Sequence, residues 1–538
     1  MLLHSVEIQG FKGIKDLYMN FNSDISVLIG ENSWGSSSLL AALAVITKEN
    51  FLYDCQEHDF YLDEDCEEEC LTLRFTYIEN PLITEESLQV YPELADVSYF
   101  SNQLRKNVVC YQVTANRVEG KITTYHHFID DNEEIIETDN FPIRLRRLLD
   151  ISPLIIFRSN RRYEPILKNE DQRVKAFYDL LAQQLSKDND SLTERELKQG
   201  LYAATLLLTY YLVNNKQDEE HIKKPTLEDW QVLDKINDLL DQMDNATARN
   251  VMMKFFSSII FYRMGYSLPE NALPILCLKN FGNTHPIVTS VGMRLLNNIP
   301  VQKILTSNTS DLIPMLALPN VIRISRSDSE IVANQVMPKE LSASTNRKVL
   351  FHIFHRRPVA LFARCWFLVE GETEIWLLRE LAEICGHNLN AEGIALVEFA
   401  QCGVLPLIEY AEAMGIEWYV MSDGDAAGRH YAKTVRSHCR DKETYYRHMT
   451  QLPSRDIENF LFQKGFSSVY KEIAYGSSEF VNVPVHEIIQ RAIQKSSKPD
   501  LALAVCDYAR VRGAHAIPNL LQKTFKKVIE LSKGSMSN

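Results

Sequence analysis

The sequence predicts an α/β protein of more than one domain, with short buried strands leading into helices. Two apolar runs, Cys365 to Val369 and Ile416 to Met421, have strand length, and each stops at carboxylates and glycine, the punctuation of a strand-to-helix turn. Near the N-terminus, Ile25-Ser26-Val27-Leu28-Ile29 runs into a glycine-bearing loop before a helix pattern begins at Leu39. At 538 residues the chain is also longer than one hydrophobic core normally organises.

Taken in order, the chain opens as strand, turn, strand: Leu3 to Ile8, the turn around Gly10 and Gly13, then Ile25 to Ile29. The acidic stretches Asp63 to Glu69 and Asp130 to Glu137 read as solvated loops. A strongly helical pattern runs from about Asp171 to Phe261. It reads as a self-association element or, equally well, as an intramolecular helical hairpin. Strands follow at Leu273 to Leu278, Lys303 to Leu305 and Val321 to Ile324, and the polar segment Asp328 to Arg357 reads as a link between domains. An acidic α/β module then spans about Ala360 to Phe466. Helices close the chain at Val485 to Lys495, Lys498 to Arg512 and Leu520 to Lys533.

Composition narrows the classes of function. With 45% hydrophobic and 24% charged residues, the chain is an ordinary globular protein rather than a disordered one. The longest apolar stretch, Leu201 to Val213, is too short to cross a bilayer, and the start shows no signal peptide. Ten scattered cysteines in so long a chain read as reduced thiols, so a cytoplasmic location is expected. A net charge of −14 argues against wholesale coating of nucleic acid but leaves room for a local basic channel. Candidate patches are Arg144 with Arg146 and Arg147, Arg158 with Arg161 and Arg162, His355-Arg356-Arg357, Arg510 with Arg512, and Lys523 with Lys526 and Lys527.

The acidic module carries the chemistry. Glu370 closes one strand, and Glu374 lies one helical turn further on. Asp423 and Asp425 are two apart, hence on one side of an extended strand end, with Ser422 before them and Gly424 and Gly428 permitting close approach. A third source is Glu458, before Phe460-Leu461-Phe462. Carboxylates at the carboxyl ends of parallel strands converge in the crevice where open α/β sheets bind ligands. Crowded there, they repel one another unless a divalent cation intervenes. Acids also suit helix starts, which explains one such cluster but not two following two apolar strands. Lys498, in Ser496-Ser497-Lys498-Pro499-Asp500, could neutralise a pentavalent phosphate, although a lysine at that point of a helix often has no special role.

The N-terminal loop Gly30-Glu31-Asn32-Ser33-Trp34-Gly35-Ser36-Ser37-Ser38 has the glycine spacing of a phosphate loop, with Ser37 where magnesium is held. The lysine position holds Ser36, which removes a contact worth about 1.5–3 kcal/mol. The strand Pro274 to Leu278 runs into Lys279-Asn280-Phe281 instead of a metal-binding Asp and a catalytic Glu. These two losses predict a loop kept as scaffold, with nucleotide binding weak or absent and no ATP hydrolysis.

These residues resemble the overcoming-lysogenization-defect (OLD) family of nucleases, in its YbjD-type branch. The likeness rests on Phe11-Lys12-Gly13-Ile14, the degenerate phosphate loop, the helical arm and Thr306-Ser307-Asn308-Thr309-Ser310, where Asn308 stands in the place of a switch histidine. It continues through Leu368-Val369-Glu370-Gly371-Glu372-Thr373-Glu374, Ser422-Asp423-Gly424-Asp425 and Ser497-Lys498-Pro499-Asp500. The resemblance implies an ABC-type ATPase-like domain over 1–165 and 255–340, a helical arm over 166–254, a Toprim (Rossmann-like) nuclease domain over 360–466 and a C-terminal helical region over 467–538. It implies that Glu370, Glu374, Asp423 and Asp425, helped by Ser422 and Glu458, hold Mg²⁺ or Mn²⁺ in a two-metal site, with Glu370, Asp423, Asp425 and Lys498 catalytic. Gly30, Asn32, Gly35 and Ser37 match the nucleotide loop. A homodimeric DNA endonuclease or nickase is the expectation. A topoisomerase would need a transesterifying tyrosine that the sequence does not show. The rival class is a non-catalytic DNA-binding or nucleotide-sensing clamp of ABC/SMC-like type.

Overall fold

The computed structural model describes residues 1–30, 35–63, 66–67, 70–79, 91–157, 272–281, 286–297, 301–327, 330–337, 339–476 and 483–534, with isolated positions between them. Asn32, Arg158, Arg161, Arg162 and nearly all of the expected helical arm, 166–254, lie outside the described residues. The chain divides into two compact units, Met1–Met315 with Asn320–Ala333, and Leu316–Pro319 with Asn334–Asn538.

The first unit holds two large sheets. One is antiparallel, built from β1 (Leu2–Phe11), β2 (Ile14–Asn20), β6 (Cys70–Ile78), β7 (Tyr99–Ser101), β8 (Lys106–Val118), β9 (Lys121–Ile129) and β10 (Ile135–Ile136) in the order β10-β9-β8-β6-β1-β2, with β7 beside β8. Strict alternation makes β6 a half-buried strand: Leu71, Leu73, Phe75 and Tyr77 face the core and the residues between them face out. The other sheet comprises β3 (Ile25–Gly30), β11 (Leu154–Phe157), β12 (Ile275–Leu278), β13 (Gln302–Ser307), β14 (Val321–Ser327) and β15 (Glu330–Asn334) in the order β11-β12-β13-β3-β14-β15. Pairing is parallel from β11 through to β14, and β12 and β13 are buried along their whole length. The apolar run of β12 predicts this, whereas β13 also buries the polar Gln302, Lys303, Thr306 and Ser307. β3 is followed, after residues 31–34, by helix α1 (Ser36–Ala44), the strand-then-helix order expected around a phosphate loop. Helices α2 (Phe141–Ile151) and α3 (Pro286–Asn297) complete the unit.

Three sequence expectations change here. The acidic stretch at Asp63 contributes to a small hairpin of β4 (Leu62–Asp63) and β5 (Cys66–Glu67) instead of remaining loop. In the second acidic stretch, Asp130 accepts backbone N–H bonds from Asn132 and Glu134, and that turn lets Ile135 and Ile136 pair with β9. The segment 328–357 does carry the chain from the first unit into the second, as expected, but as ordered structure: it supplies edge strand β15 to the first and helix α4 (Ala343–Val349) to the second.

The second unit is built on a four-stranded parallel sheet of β16 (Cys365–Val369), β17 (Ile394–Glu398), β18 (Glu417–Ser422) and β19 (Met449–Gln451), ordered β17-β16-β18-β19. Its connections are α5 (Glu372–Ile384), α6 (Val404–Ala413), α7 (Ala426–His438) and α8 (Lys442–His448). After β19 come α9 (Ile457–Leu461), α10 (Ser467–Tyr475), α11 (Val485–Lys495), α12 (Lys498–Arg512) and α13 (Asn519–Ser532). These last helices are not a separate region. Leu501, Val505, Leu521, Phe525 and Val528 share one hydrophobic core with Phe367, Val369, Leu378 and Tyr419 of the sheet layer. The Tyr419 hydroxyl also bonds Thr450 at 2.6 Å, and Thr524 of α13 reaches Thr450 at 3.4 Å.

Because Phe525 is fully buried between α13 and the sheet, Phe525→Ala is expected to cost about 3–5 kcal/mol. Urea denaturation followed by near-ultraviolet circular dichroism of the second unit's buried aromatics measures it. A loss below about 1 kcal/mol would separate the helices from the sheet's core.

Candidate metal centre

Three chain segments deliver acidic side chains to the carboxyl ends of the parallel strands. Glu370 follows β16, and the adjoining loop is pinned beside it, with Phe399 N–H donating to Val369 O at 2.9 Å and Ala400 N–H to Glu370 O at 3.1 Å. Gly371 caps α5, which places Glu374 in its first turn. Asp423 and Asp425 follow β18, and Asp425 caps α7 by accepting from Gly428 N–H at 2.7 Å. Past β19, Asp456 caps α9 through Asn459 N–H at 2.7 Å, and Glu458 sits one residue into that helix.

The segments interlock. Asp423 N–H donates to Glu370 Oε1 at 2.9 Å, which ties the two motifs together across 53 residues of sequence. Gly424 N–H donates to Ser454 O at 3.0 Å. Both glycines serve the chain's own packing rather than the approach of a phosphate. A β-carbon on Gly428 would lie 2.0 Å from Asp423 O, and one on Gly424 would lie 2.4 Å from Ser454 O and 2.6 Å from Leu452 O. Ser422 is buried, and its hydroxyl donates to Gly428 O at 3.3 Å and Asp423 O at 3.4 Å, so it braces the same loop.

Lys498 reaches this cluster from α12. Its ammonium pairs with Glu458 Oε1 at 2.8 Å, the glutamate being largely buried and the lysine about half exposed. Ser497, the cap of α12, holds φ at +91°, an uncommon value for a side chain other than glycine. Its Oγ donates to Asp500 Oδ2 at 2.7 Å and accepts Asp500 N–H at 3.3 Å, which keeps the strained residue in place and presents Lys498.

Crowding shows in the ionisation of the acids. Burial raises the Asp423 carboxyl to about 8, reinforced by the charges of Glu370, Glu374, Asp456 and Glu458. Glu370 is raised by burial against the bond from Asp423 N–H, with Asp425 and Glu374 adding to the rise. Glu374 is raised by burial and by Glu458, while Lys498 pulls it down. Burial disfavours the Lys498 charge, but Glu458, Glu374 and Asp456 outweigh it and raise its pKa.

The donor set is all oxygen and strongly negative, which fits a hard divalent cation such as Mg²⁺ or Mn²⁺. Among the described residues, no three His, Cys, Asp or Glu side chains already form a coordination sphere. The reason is visible in the partners. Glu370, Asp425 and Asp456 are each held by a backbone N–H, and Glu458 by Lys498. Binding a cation requires these side chains to turn from local donors toward a shared point.

Three neighbours escaped the sequence reading. Asp456 joins the charge cluster, though in sequence it looks only like a helix cap. Arg429, four residues past Asp425, donates from Nη1 to Gly424 O at 2.6 Å. Tyr431 packs edge-on to Phe399 with ring centres 4.9 Å apart, and its hydroxyl is raised by burial and then by Glu370 and Asp425.

In the first unit, Gly30 ends β3 and Gly35 caps α1 with φ +87°, the left-handed conformation that favours glycine. Ser37 Oγ accepts from Lys279 Nζ at 3.3 Å. The residue in the position of the missing metal-binding carboxylate thus aims an ammonium group at the hydroxyl expected to hold magnesium. Asn308 lies in the turn after β13, where Ser307 Oγ donates to Thr309 O at 3.0 Å.

Comparison with known proteins finds two family models that follow one another along the chain. A family described as "Protein of unknown function (DUF2813)" matches residues 1–360, and one described as "Overcoming lysogenization defect protein-like, TOPRIM domain" matches residues 361–425. "Uncharacterized protein YbjD" of Escherichia coli (strain K12) is 35% identical over 554 residues, covering 99% of this chain and 100% of that protein. Among solved structures, the SMC head domain from Thermotoga maritima aligns with 63% of this chain and all of its own length, at 13% identity and a TM-score of 0.32. The C-terminal region of the Burkholderia pseudomallei OLD protein aligns with 32% of this chain and 99% of its own, at 18% identity and a TM-score of 0.27. Both scores are too low to carry weight beside the sequence matches. A DUF2813 segment running directly into an OLD-like Toprim domain, and YbjD matched from end to end, show that the chain belongs to the YbjD-type branch of the OLD family.

Proposed function

We propose that the second unit is a DNA endonuclease or nickase dependent on Mg²⁺ or Mn²⁺, and that the first unit is an ABC-type scaffold that does not hydrolyse ATP. The observation that carries the nuclease reading is the convergence of Glu370, Glu374, Asp423, Asp456 and Glu458 at the carboxyl ends of the parallel strands, where Asp423 N–H bonds Glu370 Oε1 at 2.9 Å and burial and crowding raise the Asp423 carboxyl. Such crowding is costly unless cations are present, and perturbed groups of this kind gather where chemistry is done. Glu370, Glu374, Asp423, Asp425 and Glu458 are the residues that would hold metal. When bound, paired divalent cations supply a hydroxide-like nucleophile and neutralise developing charge on a phosphodiester. Ser422 supports these groups through the backbone of the loop.

The chain's own contributions follow from its contacts. The Glu370–Asp423 bond fixes the spacing of the two strand ends. Lys498 carries a mobile positive charge that can exchange Glu458 for a phosphate oxygen as negative charge builds there. Arg429 sets a second cation at the mouth of the site through Gly424. DNA is therefore the proposed substrate. A homodimer through the helical arm and a cytoplasmic location complete the proposal.

The scaffold reading of the first unit rests on Lys279. An ammonium hydrogen-bonded to Ser37 puts positive charge where a nucleotide-bound magnesium ion would need a hydroxyl and a carboxylate. Addition of ATP with magnesium is expected to leave the melting temperature unchanged and to release no phosphate in a malachite-green assay. A magnesium-dependent rise in melting temperature would reinstate the nucleotide site.

Supercoiled plasmid with manganese is expected to yield nicked and linear products. Asp423→Ala should abolish them, whereas Ser37→Ala should leave them nearly unchanged. Gel electrophoresis reads both outcomes, and an Asp423→Ala protein that nicks like the wild type removes the catalytic assignment. A ladder of closed topoisomers would point to transesterification. DNA binding with no cleavage in any metal would favour the clamp.

Lys498→Ala should lower the nicking rate about 10²- to 10³-fold, the usual effect of losing one transition-state charge contact, while manganese binding by calorimetry is retained. Loss of metal affinity instead would make Lys498 a structural counter-ion only.

A further inference from the structure

Four of the cations that the sequence offers as basic patches are already neutralised by carboxylates. Arg144 pairs with Asp96, Arg147 with Glu93, Arg357 with Glu398 at 2.5 Å, and Arg510 with both Glu380 and Asp507. Helix α7 and the turn after it behave differently. From Ala426 to His448 the chain has six Lys or Arg residues against two acids, inside a protein of net charge −14. Among the described residues, none of Arg429, Lys433, Arg440, Lys442 and Arg447 is paired with a carboxylate, and all five are exposed. Arg436 is partly buried, its guanidinium 5.3 Å from the centre of the Tyr445 ring.

The placement gives this charge a direction. Helix α7 begins at Asp425, and Arg429 is anchored to Gly424 O, inside the Asp423–Asp425 loop itself. Ala426, Arg429, His430, Lys433 and Ser437 form the outward face, while Gly428, Ala432 and Val435 face the core. From Arg429 to Ser437 that face runs about 12 Å at 1.5 Å per residue, and the exposed Arg440 and Lys442 follow it just beyond the helix. This matches about three to four base-pair steps of a duplex at 3.4 Å each. An unpaired cationic face that starts at a phosphodiester site and leads away from it is complementary to a polyphosphate backbone, and positions it without reading sequence.

We propose that the exposed face of α7 with its following turn (Arg429, His430, Lys433, Arg440 and Lys442) holds the backbone phosphates of duplex DNA flanking the scissile bond. The proposal rests on the phosphodiester reading of the carboxylate cluster, and it is tested through binding rather than cleavage.

The full-length protein is titrated with a fluorescein-labelled DNA duplex in EDTA, with anisotropy read at several salt concentrations between about 50 and 200 mM. Each phosphate contact contributes about −0.9 to the slope of log K against log salt, so the double variant Lys433→Gln with Arg440→Gln should flatten that slope by about two. Lys523→Gln with Lys526→Gln on α13 removes the same charge from another exposed face and should leave the slope unchanged. Manganese calorimetry and thermal melting confirm that both variants retain the fold and the carboxylate site.

If the α7 pair leaves the slope unchanged, or the α13 pair flattens it equally, the proposal is overturned. A slope change seen with duplex RNA but not with DNA also overturns it. The expected slope change in a wild-type protein that cleaves nothing would sustain the surface and sink the nuclease reading. Manganese-dependent cleavage with an unresponsive slope would do the reverse.

Discussion

Repulsion among carboxylates is the constraint around which the second unit is arranged. Five of them, Glu370, Glu374, Asp423, Asp456 and Glu458, sit close enough at the ends of parallel strands that, beyond the effect of burial, the other four raise Asp423 further. Left to itself, such a group would splay into solvent. It is held by backbone, because Asp423 N–H is fixed to Glu370 and Gly428 N–H to Asp425. The two glycines allow the main chain to pass so closely that no other residue fits without moving it. The backbone thus holds a concentration of negative charge in place, the condition under which cation binding yields the most electrostatic relief.

The C-terminal helices make that concentration tolerable. Lys498 neutralises part of it through Glu458, and the cap at Ser497 accepts an unfavourable φ to present the ammonium there. Such strain persists only where surrounding structure over-determines it. Here that structure is α12 packed against α5 and the core shared with α13. Because the helices and the sheet bury one core, the counter-charge is delivered by the same packing that stabilises the strands. This is why a boundary at residue 467, reasonable on sequence pattern, does not separate independent pieces of the fold.

The parts of the site written by local pattern were legible in sequence: the apolar runs of β16 and β18, their abrupt acidic ends and the glycines between them. Glu458 and Lys498 were legible as candidates but not as partners, since 40 residues separate them and only the packing of α12 joins them. Asp456 was hidden because a helix-capping aspartate and a cluster carboxylate look identical in sequence. Arg429 was hidden because its meaning lies in a bond to the Gly424 carbonyl, which depends on the tightness of the Asp423–Asp425 loop. The sequence also suggested that Gly424 and Gly428 make room for phosphate, whereas the room is taken by the chain's own carbonyls. Short edge strands such as β10 and β15 were missed for a related reason: pairing with a neighbour, not propensity, makes them strands.

The two loops that follow parallel strands in this chain differ in the sign of what surrounds them, and that difference decides what each can attract. At the end of β3, a left-handed glycine and the start of α1 offer backbone dipole and Ser37, and β12 contributes the ammonium of Lys279. Among the described residues there, Ser37, the oxygen donor expected to meet a divalent cation, already faces the Lys279 ammonium, which repels a second positive charge. At the ends of β16 and β18 the balance is reversed, with several carboxylates against a single paired lysine. A cation entering that crevice removes repulsion that exists before it arrives, and it competes only with hydrogen bonds that each carboxylate can exchange. Two outwardly similar strand-to-helix turns are thereby set on opposite courses, one away from metal and one toward it, by the identity of the residues that follow β12 and β18.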